Sequence, residues 1–385
     1  MTESAAKRIL YLDVPVGNPA QERKVAGVRH YAALRRWEVV VVPRRGTERL
    51  NVRSILSRNK PQGVIVEGSG RKQAYPPSLF GKIPVSYIEY PVREIAGLAA
   101  NVSVDDAAIA DSAFRELSFG NPACFAAIGH KNPHLWSQLR IQAFQNRCAR
   151  AGVSCAVFPQ GKDEAIESYE ARLAAWIAVL PPKTAIFASC DSAGATLTNV
   201  TRVAGRLIPK DLTLCSTCDI PEICEKAPVP ITSIHIDFEH MGWLAAKALS
   251  SREDSMVGPL LTSRRKSTSG RGRREPWILD AIGIIREKAC AGLAINDLIE
   301  RLRRCGYSVS RRNFDRRFRE AMGHTANEEI LSVRLAAARE LLLHSHVPVM
   351  SVCDFCGFGT HAAFDAAFRR LHGMSPGTWR AKNAY

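Results

Sequence analysis

Residues 356–380 read CGFGTHAAFDAAFRRLHGMSPGTWR, and this stretch decides how the last third of the chain folds. Phe364, Phe368 and Leu371 lie at positions i, i+4 and i+7, a spacing that places them on one face of a helix. Thr360 precedes this helix as a candidate N-cap, and Gly373 ends it where a left-handed residue is favoured. The stretch therefore predicts a short, capped helix with one buried side.

The same pattern occurs earlier in the chain, where Phe314, Phe318 and Gly323 repeat the spacing and Ser310 takes the place of the N-cap. Each predicted helix follows a shorter amphipathic helix that ends at a glycine. A helix, a tight turn and a capped helix, present twice, predict two helix-turn-helix units. The positions that define the shorter helices are Ile295, Leu298, Ile299, Leu302 and Gly306 in the first unit and Val349, Val352, Cys353, Cys356 and Gly357 in the second.

The outward faces of the two predicted recognition helices are polar and mostly basic. Residues 264–385 hold 22 lysines and arginines against 12 aspartates and glutamates, within a chain of net charge +16. Such a surface suits phosphates and guanine edges, although a solvated basic face and a helix pair without a role in DNA binding are alternatives. Two units in one basic domain favour DNA binding. The outward side chains are Arg311, Arg312, Arg316, Arg317 and Arg319, and then Thr360, His361, Asp365, Arg369 and Arg370.

Residues 336–380 resemble the signature of the AraC/XylS family of transcription regulators. The matching positions are Gly357, Phe358, Phe364, Phe368, Gly373, Pro376 and Arg380. The resemblance implies a sequence-specific regulator with double-stranded DNA as its partner. It also implies base-facing positions at Arg312, Asp315, Arg316, His361, Ala362 and Asp365.

Residues 9–261 alternate short apolar runs with amphipathic helices, which predicts βα units on parallel sheets. Nine strands are a large number for one sheet, so the pattern favours two doubly wound lobes with a cleft between them. The predicted strands are Ile9–Val14, Glu38–Val42, Gly63–Val66, Val85–Ile88, Cys124–Ile128, Ser154–Phe158, Thr184–Ala188, Leu212–Ser216 and Thr232–Ile236. The predicted helices are Glu22–Arg35, Asp106–Phe119, Leu135–Arg150, Ala165–Leu180, Ala193–Arg206 and Glu239–Ser250.

Residues 264–276, RRKSTSGRGRREP, have no apolar periodicity and are rich in serine, glycine and arginine. This composition predicts a basic, flexible linker. Helices dominate from Trp277 onward. The sequence thus predicts a two-lobed, ligand-sensing α/β domain with parallel sheets over 1–263, the linker, and an all-α domain with two helix-turn-helix units over 277–385.

The N-terminal pattern resembles the periplasmic-binding-protein fold of LacI-type sensors. The segments that carry this resemblance include VAGVRHY, KPQGVIVEG, WSQLRIQAF and LPPKTAIFASCD. Joined to an AraC-type domain, it implies a regulator of sugar-catabolism genes whose effector is a sugar, xylose or a similar pentose. It further implies a homodimer. RNA polymerase is a second candidate partner.

Polar side chains follow the predicted strands, where ligands bind in open α/β sheets. The candidate ligand-binding residues are Asn18, Glu89, Asp105, Trp136, Arg140, Asp191 and Asp219. The resemblance favours Arg140, Asp191 and Asp219 for contacts with sugar hydroxyls. Asp105 and Asp191 precede helices and are equally explained as N-caps. Trp136 is equally explained as a core residue, and Arg140 has an alternative as a solvated side chain.

The eleven cysteines predict reduced thiols rather than a disulfide framework. Cys215, Cys218 and Cys224 resemble half of a zinc site, but no second pair of ligands follows at a suitable spacing. Cys353 and Cys356 lie on an apolar helix face, which predicts buried thiols. The sequence therefore predicts no metal and no cofactor.

The N-terminus lacks a signal-peptide pattern and no apolar stretch approaches the length of a membrane span, so we expect a cytoplasmic protein without a membrane partner. Phosphate-loop and nucleophile-elbow motifs are absent, which argues against an enzyme. The alternative is a DNA-repair alkyl acceptor with an AraC-type module. Its P-C-H-R acceptor string is absent from this sequence.

Overall fold

The computed structural model describes residues 7–44, 50–68, 75–90, 99–119, 121–161, 164–268, 277–322, 324–344 and 347–383. The chain divides into two compact units, Met1–Arg274 and Glu275–Tyr385. The first is an α/β unit with two sheets and the second is helical, which confirms the predicted fold class. Among the described helices, none combines the length and the apolar character that crossing a membrane requires.

The first lobe is built on a six-stranded sheet whose neighbouring strands all run parallel. In spatial order, its strands are β11 (Ser255–Val257), β5 (Ala100–Val104), β4 (Val85–Ile88), β3 (Gly63–Glu67), β1 (Arg8–Val14) and β2 (Glu38–Pro43). Its helices are α1 (Pro19–Leu34), α2 (Val52–Asn59) and α8 (Phe238–Ser251), and a 3-10 helix spans Pro77–Phe80. The inner strands are almost wholly buried because both faces of the sheet are covered.

The second lobe holds a second six-stranded sheet, parallel except for one edge strand. Its strands in spatial order are β12 (Pro259–Ser263), β10 (Thr232–Ile236), β9 (Leu212–Thr217), β8 (Thr184–Ala188), β6 (Cys124–Ile128) and β7 (Cys155–Val157). Its helices are α3 (Asp106–Ser118), α4 (Leu135–Arg150), α5 (Ile166–Val179), α6 (Asp191–Thr201) and α7 (Pro221–Cys224).

The chain crosses between the lobes three times, from β5 into α3, from β10 into α8, and from β11 into β12. The first two crossings leave the carboxyl ends of parallel strands, so both sheets direct those ends towards the cleft. Each of the nine predicted strands overlaps an observed one. Periodicity missed three: β5 contains Asn101 and Ser103, β11 has three residues, and β12 begins with a proline, which only an edge position tolerates.

Helices α1 and α8 pack with their backbones in contact, and two glycines make this possible. A Cβ atom on Gly27 would lie 1.8 Å from the carbonyl oxygen of Glu239, and one on Gly242 would lie 1.9 Å from that of Lys24. No side chain fits at either position without separating the helices. The close contact between α1 and α8 therefore depends on glycine at both positions.

Replacing Gly242 with alanine is expected to destabilise the first unit by about 1–3 kcal/mol, because the methyl group forces α8 away from α1. A urea titration followed by circular dichroism measures the loss. The matched control is Gly283→Ala, in a helix where the added Cβ meets open space. That substitution should stabilise its helix by about 0.5–1 kcal/mol. An unchanged midpoint for Gly242→Ala would contradict the close approach.

The predicted flexible linker begins too early, because its first residues fold onto the second lobe. Arg265 donates to Asp219 at 2.8 Å, and Ser267, which is fully buried, donates to the carbonyl oxygen of Leu214 at 2.6 Å. Thr268 lies 2.9 Å from Thr232. Polar composition suggested a free segment, but β9 and β10 supply partners for these polar groups. Residues 269–276 lie outside the described residues.

The second unit is a succession of short helices. They are α9 (Trp277–Lys288), α10 (Ile295–Arg304), α11 (Arg311–Met322), α12 (Ala326–His344), α13 (Val349–Phe355), α14 (His361–His372) and α15 (Pro376–Asn383), with a 3-10 helix at Ala289–Ala291. Its core consists of aliphatic and aromatic side chains from most of these helices, together with two buried cysteines. Helix α12 joins the two halves of this unit. Each half contains one of the helix pairs that the sequence repeat predicts.

Candidate functional site

The two repeated segments form matching helix pairs, α10 with α11 and α13 with α14. Phe314 and Phe318 on α11 are fully buried with their ring centroids 5.7 Å apart, and Phe364 and Phe368 on α14 repeat both the burial and the 5.7 Å distance. The same buried pair therefore anchors each second helix. This is the geometry of a helix-turn-helix unit.

Caps and turns have the predicted form. Thr360 accepts a hydrogen bond from the amide of Ala363 at 3.2 Å, and Ser310 accepts one from Asn313 at 3.4 Å. The turn glycines Gly306, Gly357 and Gly373 adopt φ values of +88°, +71° and +72°, which suit glycine best. The predicted Gly323 lies outside the described residues.

The predicted base-facing side chains lie on the outer faces of α11 and α14. Asp315 and Asp365 are half-buried at the base of these faces, paired with Arg311 at 2.8 Å and with Arg369 at 2.7 Å. Arg316 pairs with Glu320 at 2.8 Å. These are surface ion pairs between residues one turn apart, each worth at most about 0.5 kcal/mol, so the guanidinium groups can exchange them for phosphates or bases. The exposed members of the predicted set are Ser310, Arg311, Arg312, Arg316, Thr360, His361, Ala362 and Arg369.

In the first unit, a buried ionic cluster lies at the carboxyl ends of β1, β3 and β4. Lys24, which is 1% exposed, contacts Glu67 at 3.3 Å and Glu89 at 2.8 Å, and the hydroxyl of Tyr11 donates to Glu67 at 2.7 Å. Burial alone would lower the pKa of Lys24, but the two carboxylates raise it above its ordinary value. Burial would likewise raise the pKa of Glu89, and Lys24 holds it below its ordinary value.

Arg140 belongs to the second lobe and lies close enough to the first for its charge to act on Glu89. It is 2% exposed, and its side chain donates to Asp106 at 3.0 Å, to the carbonyl oxygen of Ser189 at 2.8 Å and to Thr217 at 2.9 Å. Burial would lower its pKa, but the charges of Asp106 and of Glu89, on the other lobe, raise it. These hydrogen bonds use the Nε and Nη1 nitrogens. Arg140 is therefore a buried, permanently charged donor at the cleft, which excludes the alternative of a solvated side chain.

An aromatic group lies beside Arg140. Trp136 is half-buried, with its ring centroid 5.3 Å from the guanidinium carbon of Arg140 and 5.7 Å from the ring of His134, onto which it stacks. The ring of His130 completes the group at 5.8 Å from Trp136. Burial lowers the pKa values of both histidines, which favours neutral rings near pH 7. Trp136 also packs against the apolar core of the second lobe, as the alternative of a core residue predicts.

Asp191 and Asp219 are both buried and bonded to the protein. Asp191 is the first residue of α6 rather than its N-cap, and it accepts hydrogen bonds from Ser216, from Ser233 at 2.6 Å and from the amide of Ile220 at 2.8 Å. Burial raises its pKa above the ordinary value. The N-cap explanation is therefore wrong for this residue.

Asp219 has a backbone φ of +52° and no exposed surface. It accepts hydrogen bonds from Ser263 at 2.6 Å and Arg265 at 2.8 Å, and His235 lies 3.7 Å away. Burial alone would raise its pKa, but these neighbours hold the pKa of its carboxyl below the ordinary value. Asp219 thus connects the end of β9 to the segment that leaves the domain.

Two of the predicted ligand residues are helix caps. Asn18 accepts from the amide of Ala20 at 3.0 Å, and Asp105 accepts from that of Ala108 at 2.9 Å. For Asp105 the structure supports the N-cap alternative. The structure brings Glu89, Trp136 and Arg140 together at the cleft, and it ties Asp191 and Asp219 into the end of the second sheet.

Sequence reasoning missed several charged residues of this region. Glu67 directly follows the predicted strand Gly63–Val66, so the rule that selected Glu89 could have found it. Asp106 follows Asp105 directly, and only the contact with Arg140 distinguishes the two. Lys24 and Arg44, which pairs with Asp13 at 3.3 Å, are polar residues of ordinary appearance in the sequence. Only the fold brings them to the cleft.

The three cysteines that resemble half of a zinc site lie in the second lobe. Cys215 and Cys224 are fully buried, and burial raises the pKa of the Cys218 thiol to about 12. Within the described ranges, no three histidine, cysteine, aspartate or glutamate side chains are grouped as a metal site requires. Cys353 and Cys356 are buried in the core of the second unit, as predicted.

Two family models match this chain. A helix-turn-helix domain matches residues 306–382, and a periplasmic binding protein-like domain matches residues 112–263. The chain therefore joins the two kinds of domain that the sequence predicted.

Known regulators are similar to all or part of this chain. The xylose operon regulatory protein of Escherichia coli (strain K12) is 26% identical over 296 residues, which are 74% of this chain and 74% of that protein. The HTH-type transcriptional activator RhaR of Escherichia coli O1:K1 / APEC is 35% identical over 77 residues, 20% of this chain and 27% of its own length. These relatives favour a regulator over the alkyl-acceptor alternative.

Solved structures have the same fold. The structure of the xylose-binding transcription activator xylR covers 100% of both chains, with a TM-score of 0.59 and 23% identity. A complex of the transcriptional regulator CelR with cellobiose covers 68% of this chain and 85% of its own, with a TM-score of 0.57 and 20% identity.

Proposed function

We propose that this protein is a DNA-binding transcription regulator, not an enzyme, that responds to a sugar bound between the lobes of its first unit. One observation carries the proposal: a single chain joins a two-lobed cleft to a duplicated helix-turn-helix unit with arginine-bearing outer faces. The first part senses and the second part reads DNA. We place its action in the cytoplasm, where duplex DNA and free sugar meet.

The proposed effector is xylose or a similar pentose. A sugar presents hydroxyl groups and C–H faces, so its site needs charged donors and acceptors beside an aromatic ring. Arg140 offers its Nη2 nitrogen, Glu89 offers a carboxylate, and Trp136 offers a ring face. The names of the similar regulators point to the same class of ligand. Asp191 and Asp219, which are buried and bonded to the protein, would contact the sugar by exchanging one of these bonds for a sugar hydroxyl.

The second lobe is bonded to the start of the linker, and this attachment indicates how a signal could pass along the chain. Residues 264–268 are bonded to β9 and β10, so movement of that lobe carries the start of the linker with it. We propose that the sugar closes the lobes, and that a dimer thereby repositions its DNA-reading helices. Shifting such an equilibrium from 1:99 to 99:1 takes about 5.5 kcal/mol of differential binding. RNA polymerase is the further partner if the bound regulator activates.

A thermal-shift panel on the full chain tests the sensing function. D-xylose, L-arabinose, D-ribose, D-glucose and cellobiose are compared at equal concentration. A sugar present at 100 times its dissociation constant adds about 2.7 kcal/mol to the apparent stability, and a pentose should give the largest shift. Arg140→Lys serves as the matched variant because it keeps the charge but loses the second amino group. Equal responses to all five sugars, or none, would contradict a pentose site.

Arg316→Ala is expected to weaken binding to the preferred duplex by about 1–3 kcal/mol, and binding to random duplex far less, because a base contact is lost. Fluorescence anisotropy with a duplex selected by the full chain from a randomised pool measures both affinities.

The matched control is Arg304→Ala. Arg304 also pairs with a glutamate one turn away, Glu300 at 3.4 Å, but it lies on α10. Equal losses on selected and random duplex for Arg316→Ala would remove this residue from base reading and leave it a phosphate contact.

A further inference from the structure

Two cysteines from distant parts of the second unit meet beside the second helix-turn-helix. Cys290 lies in the 3-10 helix Ala289–Ala291, and Cys356 is the residue that ends α13. Cys356 belongs to the apolar cluster of this half of the unit, and Cys290 packs against the same cluster. The backbones are equally close, since a Cβ on Gly357 would lie 2.7 Å from the carbonyl oxygen of Cys290. The two thiols are therefore neighbours held by packing on both sides.

The two thiols differ in exposure and in electrostatic surroundings. Cys290 is half-buried, whereas Cys356 has no exposed surface. Arg334 is fixed beside them, because its side chain donates to the carbonyl oxygens of Ala289 at 2.9 Å and Leu293 at 3.0 Å. The neighbouring Cys356 thiol and the charge of Arg334 lower the pKa of the Cys290 thiol, while the neighbouring Cys290 thiol and burial raise that of Cys356. The reachable thiol is thus the better nucleophile.

We propose that Cys290 and Cys356 form a redox-active dithiol that a hydroperoxide converts into an intramolecular disulfide. The Cys290 thiolate attacks the peroxide, the O–O bond breaks and a sulfenic acid forms. The Cys356 sulfur then attacks the Cys290 sulfur, the S–S bond forms, and the sulfenic oxygen leaves as water. With hydrogen peroxide, two thiols lose two electrons and two protons, and the peroxide is reduced to two molecules of water.

The disulfide acts on the turn that sets the recognition helix α14. An S–S bond of about 2.05 Å is shorter than any thiol contact, so the two sulfurs must approach each other. Gly357 already touches the Cys290 backbone, so the approach has to displace the turn. Thr360, the N-cap of α14, follows three residues later. Oxidation should therefore lower the affinity for DNA. This effect rests on the proposed function, whereas the chemistry of the thiols does not.

Peptide mapping tests the chemistry. The full chain is treated with hydrogen peroxide, the remaining thiols are alkylated, and the digest is analysed by mass spectrometry without reduction. A cross-link between the peptides of Cys290 and Cys356 is expected, and dithiothreitol should remove it. Cys305→Ser is the matched control because Cys305 is an exposed cysteine of the same unit. It should keep the cross-link. Absence of the cross-link while Cys305 is oxidised would overturn the proposal.

DNA affinity tests the consequence. The probe is the duplex that the reduced full chain selects from a randomised pool. Peroxide should weaken binding of the original protein at least fivefold and leave Cys290→Ser and Cys356→Ser unaffected, with recovery after dithiothreitol. Circular dichroism verifies that each variant folds, and the partly exposed Cys290 tolerates serine best. If peroxide weakened DNA binding by Cys290→Ser as much as binding by the original protein, the proposal that the disulfide displaces α14 would be overturned. Absence of DNA binding in the reduced protein would refute the proposed function while the cross-link remains measurable.

Discussion

Lys24→Met is expected to lower the free energy of unfolding of the first unit by about 3–5 kcal/mol. Methionine fills a similar volume, but it leaves Glu67 and Glu89 buried without their cation. Removing one partner of a buried ion pair strands the other charge in a poorly polarisable environment. Chemical denaturation of the full chain measures the loss in the unfolding transition of the first unit.

The loss should depend on pH. The raised pKa of Lys24 means that its contribution is fully present below its unfolded value of about 10.4 and disappears only above the folded pKa. The lowered pKa of Glu89 means that its contribution is present above about pH 4.3 and is lost as the pH falls through the folded pKa. The gap in stability between Lys24→Met and the original protein should therefore be large at pH 7 and should narrow as the pH falls through the folded pKa of Glu89.

Two further variants isolate the cause. Lys82→Met removes an exposed lysine of the same lobe and should change the stability by less than about 0.5 kcal/mol. Adding Glu67→Gln to Lys24→Met removes one stranded charge and should recover part of the loss. A pH-independent loss in Lys24→Met would indicate a packing defect instead of a broken ionic cluster.

Phe364→Ala is expected to destabilise the second helix-turn-helix by about 3–5 kcal/mol, because it leaves a cavity where a fully buried ring stood. The ring contacts Phe358 and Phe368, with centroids 4.9 Å and 5.7 Å away, so both neighbours lose packing. The outer face of α14 should lose its position and the preferred duplex should bind more weakly. Hydrogen exchange in α13 and α14 and anisotropy with the selected duplex measure the two effects.

Leu371→Ala is the matched control on the same helix. Leu371 is 61% exposed, so its truncation removes little buried area and should cost less than about 0.5 kcal/mol. The sequence pattern had placed Leu371 on the buried face, and the structure corrects this: the helix turns that position outward near its end. Fast exchange restricted to residues after 370 in Phe364→Ala would show that the ring is not the anchor of the helix.

The sequence by itself determined the elements and the class of each domain. Apolar periodicity is a property of neighbouring residues, so it predicted nine strands and the repeated helix pairs, and the buried phenylalanines lie where their spacing places them. Cap and turn residues act within one helical turn. For that reason Thr360 and the turn glycines were also accessible from the sequence.

Only the tertiary structure decided the composition of the cleft. Lys24 meets Glu67 and Glu89 across 43 and 65 residues, and no local pattern encodes such a contact. Asp105 and Asp191 stand in the same local context before a helix, yet one caps its helix and the other is held by serines from two neighbouring strands. The segment 264–268 is polar like a free linker but is bonded to strands far away in the sequence. Charges interact through space rather than along the chain, and their partners are therefore set by the fold.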